Sequence, residues 1–344
     1  MRWIPRLAVP VALAALLLSY VFGSQAHAQV IDKCLIYALV ALSLNAVIGY
    51  VGQLSLGHQG FVGLGAALSA YTATAQGLPF FATVLVGLGT GAAAALIMGL
   101  VALRVSGLYL ALVTLVFGLT MQSSIFNISS LSGNGAGQKS NRPSFIQDSD
   151  QFFWLLVGVL VVVLYLDRQL TRSKAGRALA ALKENERVAE AVGVDVTRYK
   201  LLAFTYSGAV AGLAGSLFAY NSQQFSQKDF DFLLALTFVA MTVVGGPGSR
   251  VGVVAGGAFF AALGTILGPW FGANSDVGTF IAGSDATQVP ATIGAILLVL
   301  TLVLTPGGMA QLLDPVVTWV CGGRFSLARH DSGAGGVDGS GARA

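Results

Sequence analysis

Runs of about 17 to 25 apolar residues recur along this chain, each long enough to cross a hydrocarbon layer of about 30 Å as a helix. The runs are continuous rather than alternating, which argues against a transmembrane β-barrel. Inside a bilayer the backbone must satisfy its own hydrogen bonds, so a chain of this pattern folds as a bundle of helices. Composition agrees: of 344 residues, 55% are hydrophobic and 10% charged, where ordinary soluble domains carry about 25% charged residues. The expected fold class is an all-α polytopic integral membrane protein. It should have about ten transmembrane helices, within a range of roughly eight to eleven, some of them broken or re-entrant.

Charge placement orients the bundle. The longest charged block, residues 167–200, carries Arg168, Arg172, Lys174, Arg177, Lys183, Arg187, Arg198 and Lys200 between apolar segments at 152–166 and 201–220. A positive loop of this kind faces the cytoplasm. With it inside, every Lys and Arg falls on the inner side except Lys33, Lys139, Arg142 and Lys228, and both chain ends lie in the cytoplasm. The net charge of +4 then reflects loop distribution, not nucleic-acid binding. Within the block, Ala178, Leu182, Ala189 and Val192 can line one face of a helix. Gly193 is placed to end it, and Asp195 or Thr197 to cap the following span. The expectation is an amphipathic helix over residues 175–193, offered to something in the cytoplasm. The plain alternative is a charged loop held inside by the positive-inside rule alone.

A second feature is the polar, glycine-rich segment 49–61, which interrupts an apolar region running from 30 to 71. Irregular backbone at membrane depth is tolerated where it is buried in protein or lines a cavity. Asn45, Gln53, Ser55, His58 and Gln59 are therefore candidates for a translocation pathway. The alternative is a cytoplasmic turn whose glycines serve close helix packing. His58 is not a metal site, because His27 and His330 lie near the two chain ends. Gly135-Ala136-Gly137-Gln138-Lys139-Ser140 fails the phosphate-loop pattern, which requires Gly directly before the Lys.

The 15 Asp and Glu residues all fall in loops, tails or span ends. That argues against a proton-coupled carrier with an ionisable relay in the membrane. A carrier coordinating its ion with backbone carbonyls at broken helices stays open. No nucleophile–base set points to an enzyme, and no filter signature to a channel. Cys34 and Cys321 fall on opposite faces and are not expected to pair.

The wording GRALAALKENERVAEAVGVDVTRYKLLAFTYSGAVAGLAGSLFAY around Glu190-Ala191-Val192-Gly193 resembles the branched-chain amino-acid ABC transporter permease family, of the LivM type. Three further stretches carry the resemblance, which spans residues 30–306. They are the G-x-x-G-x-x-S-L-G-H-x-x-F run from Gly49, the R-x-x-G-x-Y-x-A-x-x-T run through Arg104, Gly107, Tyr109, Ala111 and Thr114, and the Gly245-Gly246 turn closing on Gly252. The glycine-rich stretch 133–137 matches more loosely, because Leu131-Ser132 replaces the family's Thr-Gly start.

The resemblance implies a permease subunit of an ATP-driven importer in the bacterial inner membrane. Its partners would be a second homologous permease, two cytoplasmic ATPase subunits and a periplasmic solute-binding protein. No cofactor is expected on this chain, with ATP and Mg held by the partner ATPases. Arg187, Ala189, Glu190, Ala191 and Gly193 are implied as ATPase-coupling residues, and Tyr109 joins the pathway candidates. The implied cargo is a branched-chain amino acid, with urea or short amides as the alternative within the family. A stand-alone secondary transporter is the rival outside it. Residues 1–29, with Arg2 and Arg6 before an apolar stretch and Ala26-His27-Ala28, read as a secretory signal or a retained first span. The resemblance favours the span. Residues 30–306 form the permease domain, and the Gly/Ser/Arg-rich tail 307–344 is expected to be disordered.

Overall fold

A computed structural model describes residues 25–102, 107–132, 138–140, 142–143 and 149–271. Most of the first segment, the glycine-rich stretch 133–137, the last part of the permease domain from residue 272, Cys321 and the tail 307–344 lie outside the described residues.

Helix α1 (Gln25–Ile48) is followed by an irregular segment and then by α2 (His58–Ala75), α3 (Phe80–Ala102) and α4 (Leu108–Ser123). Next come α5 (Ser149–Arg172), two short helices α6 (Lys174–Glu184) and α7 (Glu186–Ala191), and α8 (Val196–Ser222). A hairpin of α9 (Phe232–Gly245) and α10 (Arg250–Phe271) closes the described part. Two-residue strands β1 (Gln138–Lys139) and β2 (Gln224–Phe225) pair antiparallel at the end of the bundle away from α6 and α7.

The all-α polytopic class holds. Five stretches are long and apolar enough to cross a membrane: Gln29–Ile48, Phe80–Val101, Leu108–Asn127, Asp150–Arg172 and Val196–Ser222. The apolar helices Phe232–Gly245 and Arg250–Leu263 are shorter. Helix α10 continues to Phe271. One boundary differs from expectation. Helix α2 already begins at His58, which puts His58 and Gln59 in its first turn.

Burial ranks the helices. The α1 span is 89% buried by protein alone, whereas the α4 span is 22% buried. A helix apolar all round and wrapped by its neighbours belongs at the centre of a bundle. Helix α8 lies beside it and packs against α1, α2 and α3, while α10, α5 and α9 also meet α1. Close approach is set by small residues. A Cβ on Gly212 would fall 2.1 Å from the Gly87 carbonyl oxygen, and one on Gly91 would fall 2.2 Å from that of Gly208. The backbones of α3 and α8 therefore touch, the small-residue packing expected where lipid offers no hydrophobic drive between helices.

Candidate functional site

The segment 167–200 is built by three caps. Ser173 Oγ accepts the backbone N–H groups of Ala175 (3.1 Å) and Gly176 (3.4 Å) to start α6. Asn185 Oδ1 accepts those of Arg187 (3.0 Å) and Val188 (3.3 Å) to start α7. Asp195 Oδ1 accepts that of Arg198 (3.1 Å) to start α8. The single helix expected over 175–193 is thus two helices, broken where Asn185 adopts an extended backbone. A short polar side chain that caps the next helix competes with continuing the first.

Gly193 ends α7 as expected. With φ of 85° it occupies the left-handed region, its N–H bonds Glu190 O (2.9 Å), and that of Val194 bonds Ala189 O (3.0 Å). This is a Schellman turn, whose left-handed position suits a residue without a Cβ.

The inner face of this segment forms a small core of Leu179, Leu182 and Ala189 against Val51 and Ala203, edged by Tyr50, Val194 and Tyr199. Burying each leucine is worth about 1.5–3 kcal/mol. Polar links tighten the seat. Lys183 Nζ donates to Gly49 O at 2.8 Å. Glu186 accepts from Lys200 Nζ at 2.8 Å and from Gln53 Nε2 at 3.3 Å.

A second node lies alongside. Asp167, fully buried near the end of α5, accepts the Tyr50 hydroxyl (2.7 Å) and the Arg250 guanidinium, which also reaches Thr171. Burial, with the adjacent Asp167 charge next, pushes the Tyr50 hydroxyl pKa well up, so it stays a donor. Asn45 Oδ1 accepts the Gly248 N–H at 2.7 Å, tying the glycine turn after α9 to the end of α1. The 49–57 segment, the 245–250 turn and the α6–α7 segment, far apart in sequence, thus form one connected unit.

The outer face of the unit is open. Arg187, Glu190, Ala191 and Gly193 are exposed, while Ala189 packs inward. Val192 does not join the buried face but is 73% exposed, and Val188 is 59% exposed. Beside them, Lys174, Arg177, Asp195, Arg198 and Tyr199 line a groove of about 610 Å³.

Of the pathway candidates, Asn45, Gln53, Ser55, His58 and Gln59 are all buried at the junction of α1, the 49–57 segment and α2. Ser43 has one proton, given to Val40 O at 2.6 Å, so it accepts from His58 Nε2 at 2.7 Å, leaving Nδ1 as an acceptor. That atom, Ser55 Oγ and both polar atoms of the Gln59 side chain have no protein partner. A line of buried, unsatisfied polar atoms is costly unless water or solute serves it. Tyr109 stands apart, 73% exposed at the start of α4. The neighbouring Thr114 is buried and accepts the Leu56 N–H at 3.0 Å, seating the irregular segment on α4.

Sequence reasoning missed Asp167, Tyr50, Arg250, Lys183, Glu186 and Lys200. A lone acid ending a long apolar run was the available signal for Asp167. Among the described residues, no cluster of His, Cys, Asp or Glu is suited to a metal ion.

Comparison with known proteins adds the following. The family model for the permease component of branched-chain amino acid transport systems matches residues 27–306. The high-affinity branched-chain amino acid transport system permease protein LivM of Salmonella typhimurium is 34% identical over 260 residues, covering 67% of this chain and 61% of that one. Its Escherichia coli counterpart is 33% identical over 273 residues, covering 71% and 64% respectively. An autoinducer 2 import system permease protein, LsrC of an Enterobacter strain, is 31% identical over 116 residues, 32% of this chain and 34% of its own. The chain thus spans under two thirds of the LivM relatives it matches. No solved structure matches.

Proposed function

From the chain's membership in the branched-chain amino acid permease-component family, we propose that it is the pore-forming subunit of an ATP-driven importer of branched-chain amino acids. Its partners would be a second permease, two cytoplasmic ATPases that hold ATP and Mg, and a periplasmic solute-binding protein, all at a bacterial inner membrane with both chain ends inside. The relatives are named as transport permease proteins, which accords with a subunit that performs no chemistry itself.

The observation that carries the reading is the two-sided α6–α7 segment. Its inner face is welded to the 49–57 segment through Val51, Gly49 and Gln53. Its outer face presents Arg187, Val188, Glu190, Val192 and the Gly193 turn to solution. A partner that grips the outer face and moves when it closes on ATP carries the inner face along. Through Lys183 and Glu186 the displacement reaches Gly49 and Gln53, and from there the first turn of α2 with His58 and Gln59. Through the Asp167 node it reaches Arg250 and the start of α10. The buried polar line at Asn45–Gln59 is then where access changes, the transporter logic of elements moving around a fixed midplane site. Asp32 and Asp167, the buried acids among the described residues, lie at span ends and each meets an arginine. Paired acids at span ends support a structural role more than an ion relay.

The test is purification of the tagged chain from its own membranes in mild detergent, followed by leucine uptake with the recovered assembly in liposomes. Recovery of two ATPases and a second permease, with ATP-dependent uptake, is the expected result. Repeated recovery of the chain alone with uptake intact would overturn the proposal in favour of a self-contained carrier.

A further inference from the structure

At the end of the bundle opposite α6 and α7, a cavity of about 440 Å³ opens between the outer ends of α1 and α8. It is lined by Lys33 of α1, by Phe218, Asn221 and Ser222 of α8, and by Ser226 and Asp229 of the following loop. Of the five described candidate spans these two are the most enclosed, 89% and 61% buried. Its chemistry is that of opposite charges held apart. Lys33 and Asp229 act on each other electrostatically without meeting in an ion pair. The Lys33 ammonium lies 5.7 Å from the ring centroid of Tyr37, one turn deeper in α1. Lys33 lies in the first turns of the α1 span and is half-buried there. The adjacent Asp32 is answered by Arg142 at 3.8 Å rather than by Lys33. Arg142 is itself held by Tyr220 O (3.3 Å) and Asn221 Oδ1 (3.2 Å), which fixes the cavity's α8 wall.

Resting on the import reading above, we infer that this cavity is an outer-mouth subsite for the zwitterionic head of an α-amino acid. Lys33 takes the carboxylate and Asp229 the ammonium group. Asn221, Ser222 and Ser226 offer further polar contacts, and Phe218 faces the aliphatic side chain. An incoming ammonium group would stabilise the charged form of the Asp229 carboxyl. The carbonyls at the C-terminus of α8 favour the same ammonium.

The experiment is calorimetric titration of the purified permease–ATPase assembly, without solute-binding protein, using three probes: leucine, leucinamide (no carboxylate) and 2-hydroxy-4-methylpentanoate (no ammonium). The unaltered assembly should favour leucine over both. Lys33→Met should weaken leucine about tenfold or more while leaving leucinamide nearly unchanged, and Asp229→Asn should do the same for leucine against the hydroxy acid, since each removes one charge-assisted contact. Lys33→Arg, which keeps the charge, should retain the preference for leucine. Equal losses for all three probes in Lys33→Met and Asp229→Asn, unchanged leucine binding in both, or no leucine binding to the unaltered assembly would each overturn the subsite. ATP-dependent leucine uptake by the unaltered, complete transporter tests the import reading separately.

Discussion

Truncating Asp167 to Ala tests whether the inner node holds the coupling unit together. The change leaves the Arg250 guanidinium without its carboxylate and the Tyr50 hydroxyl without its acceptor. Breaking a fully buried pair by removing one partner costs about 3–5 kcal/mol. Arg250 is 32% exposed, so water recovers part of that loss and roughly 2–3 kcal/mol remains. At about 2–3 °C per kcal/mol for a chain of this size, the melting temperature of the detergent-solubilised protein should fall by roughly 4–9 °C. The double variant Asp167→Ala/Arg250→Met removes the orphaned charge as well and should melt higher than Asp167→Ala alone. Uptake should drop in the single variant and recover only partly in the double, because the link from α5 to α10 is still missing. Unchanged melting in Asp167→Ala, or a double variant less stable than the single by the full Arg250→Met effect, would refute the node.

Three shorter predictions follow from the same geometry. Glu190→Lys, on the exposed face of α7, should abolish ATP-driven uptake while membrane insertion is unchanged and stability stays within about 0.5 kcal/mol of the original; normal uptake would remove Glu190 from the partner-gripping face. Gly193→Ala places a Cβ at φ 85° and should cost about 1 kcal/mol, whereas Gly193→Pro also removes the N–H bonded to Glu190 O and should uncouple uptake outright, which parallel uptake and melting assays check. Gly212→Val forces side-chain atoms into the Gly87 carbonyl and should sharply reduce correctly inserted protein on membrane blots; normal levels would mean that α3 and α8 do not cross there.

Much of this was legible in the sequence because the bilayer leaves few choices. Span-length apolar runs, the charged block at 167–200 and the Gly193 stop are local patterns that physical chemistry reads directly. The break at Asn185 was harder to see, since KAGRALAALKE and ERVAEA are both good helix formers. Only the capping preference of Asn pointed to it. Val192, in register with Ala178 and Leu182 on one continuous helix, instead lies just past the end of α7 as its C-cap and faces outward, while Ala189 within α7 stays buried. The Asp167 node was illegible for a different reason. Its partners lie 117 and 83 residues away, and no local pattern encodes such a pairing. Tyr109 carried a motif-level expectation that local pattern cannot test. Its surroundings depend on what packs against the exposed face of α4.

The central position of α1 has a consequence for how this protein is made. Helix α1 leaves the ribosome early, yet the groups that satisfy it come much later. Ser207 reaches the Ser43 carbonyl across 164 residues, and Gly248 reaches the Asn45 amide across 203. At about 5–20 residues per second, synthesis of the intervening chain takes roughly 10–40 s. Throughout that interval the Ser43 carbonyl and the Asn45 side chain sit in the membrane without these two later donors. The insertion machinery must therefore shelter α1 until α8 and α10 arrive. Mutations that slow translation between them should deplete the protein as surely as mutations in its core.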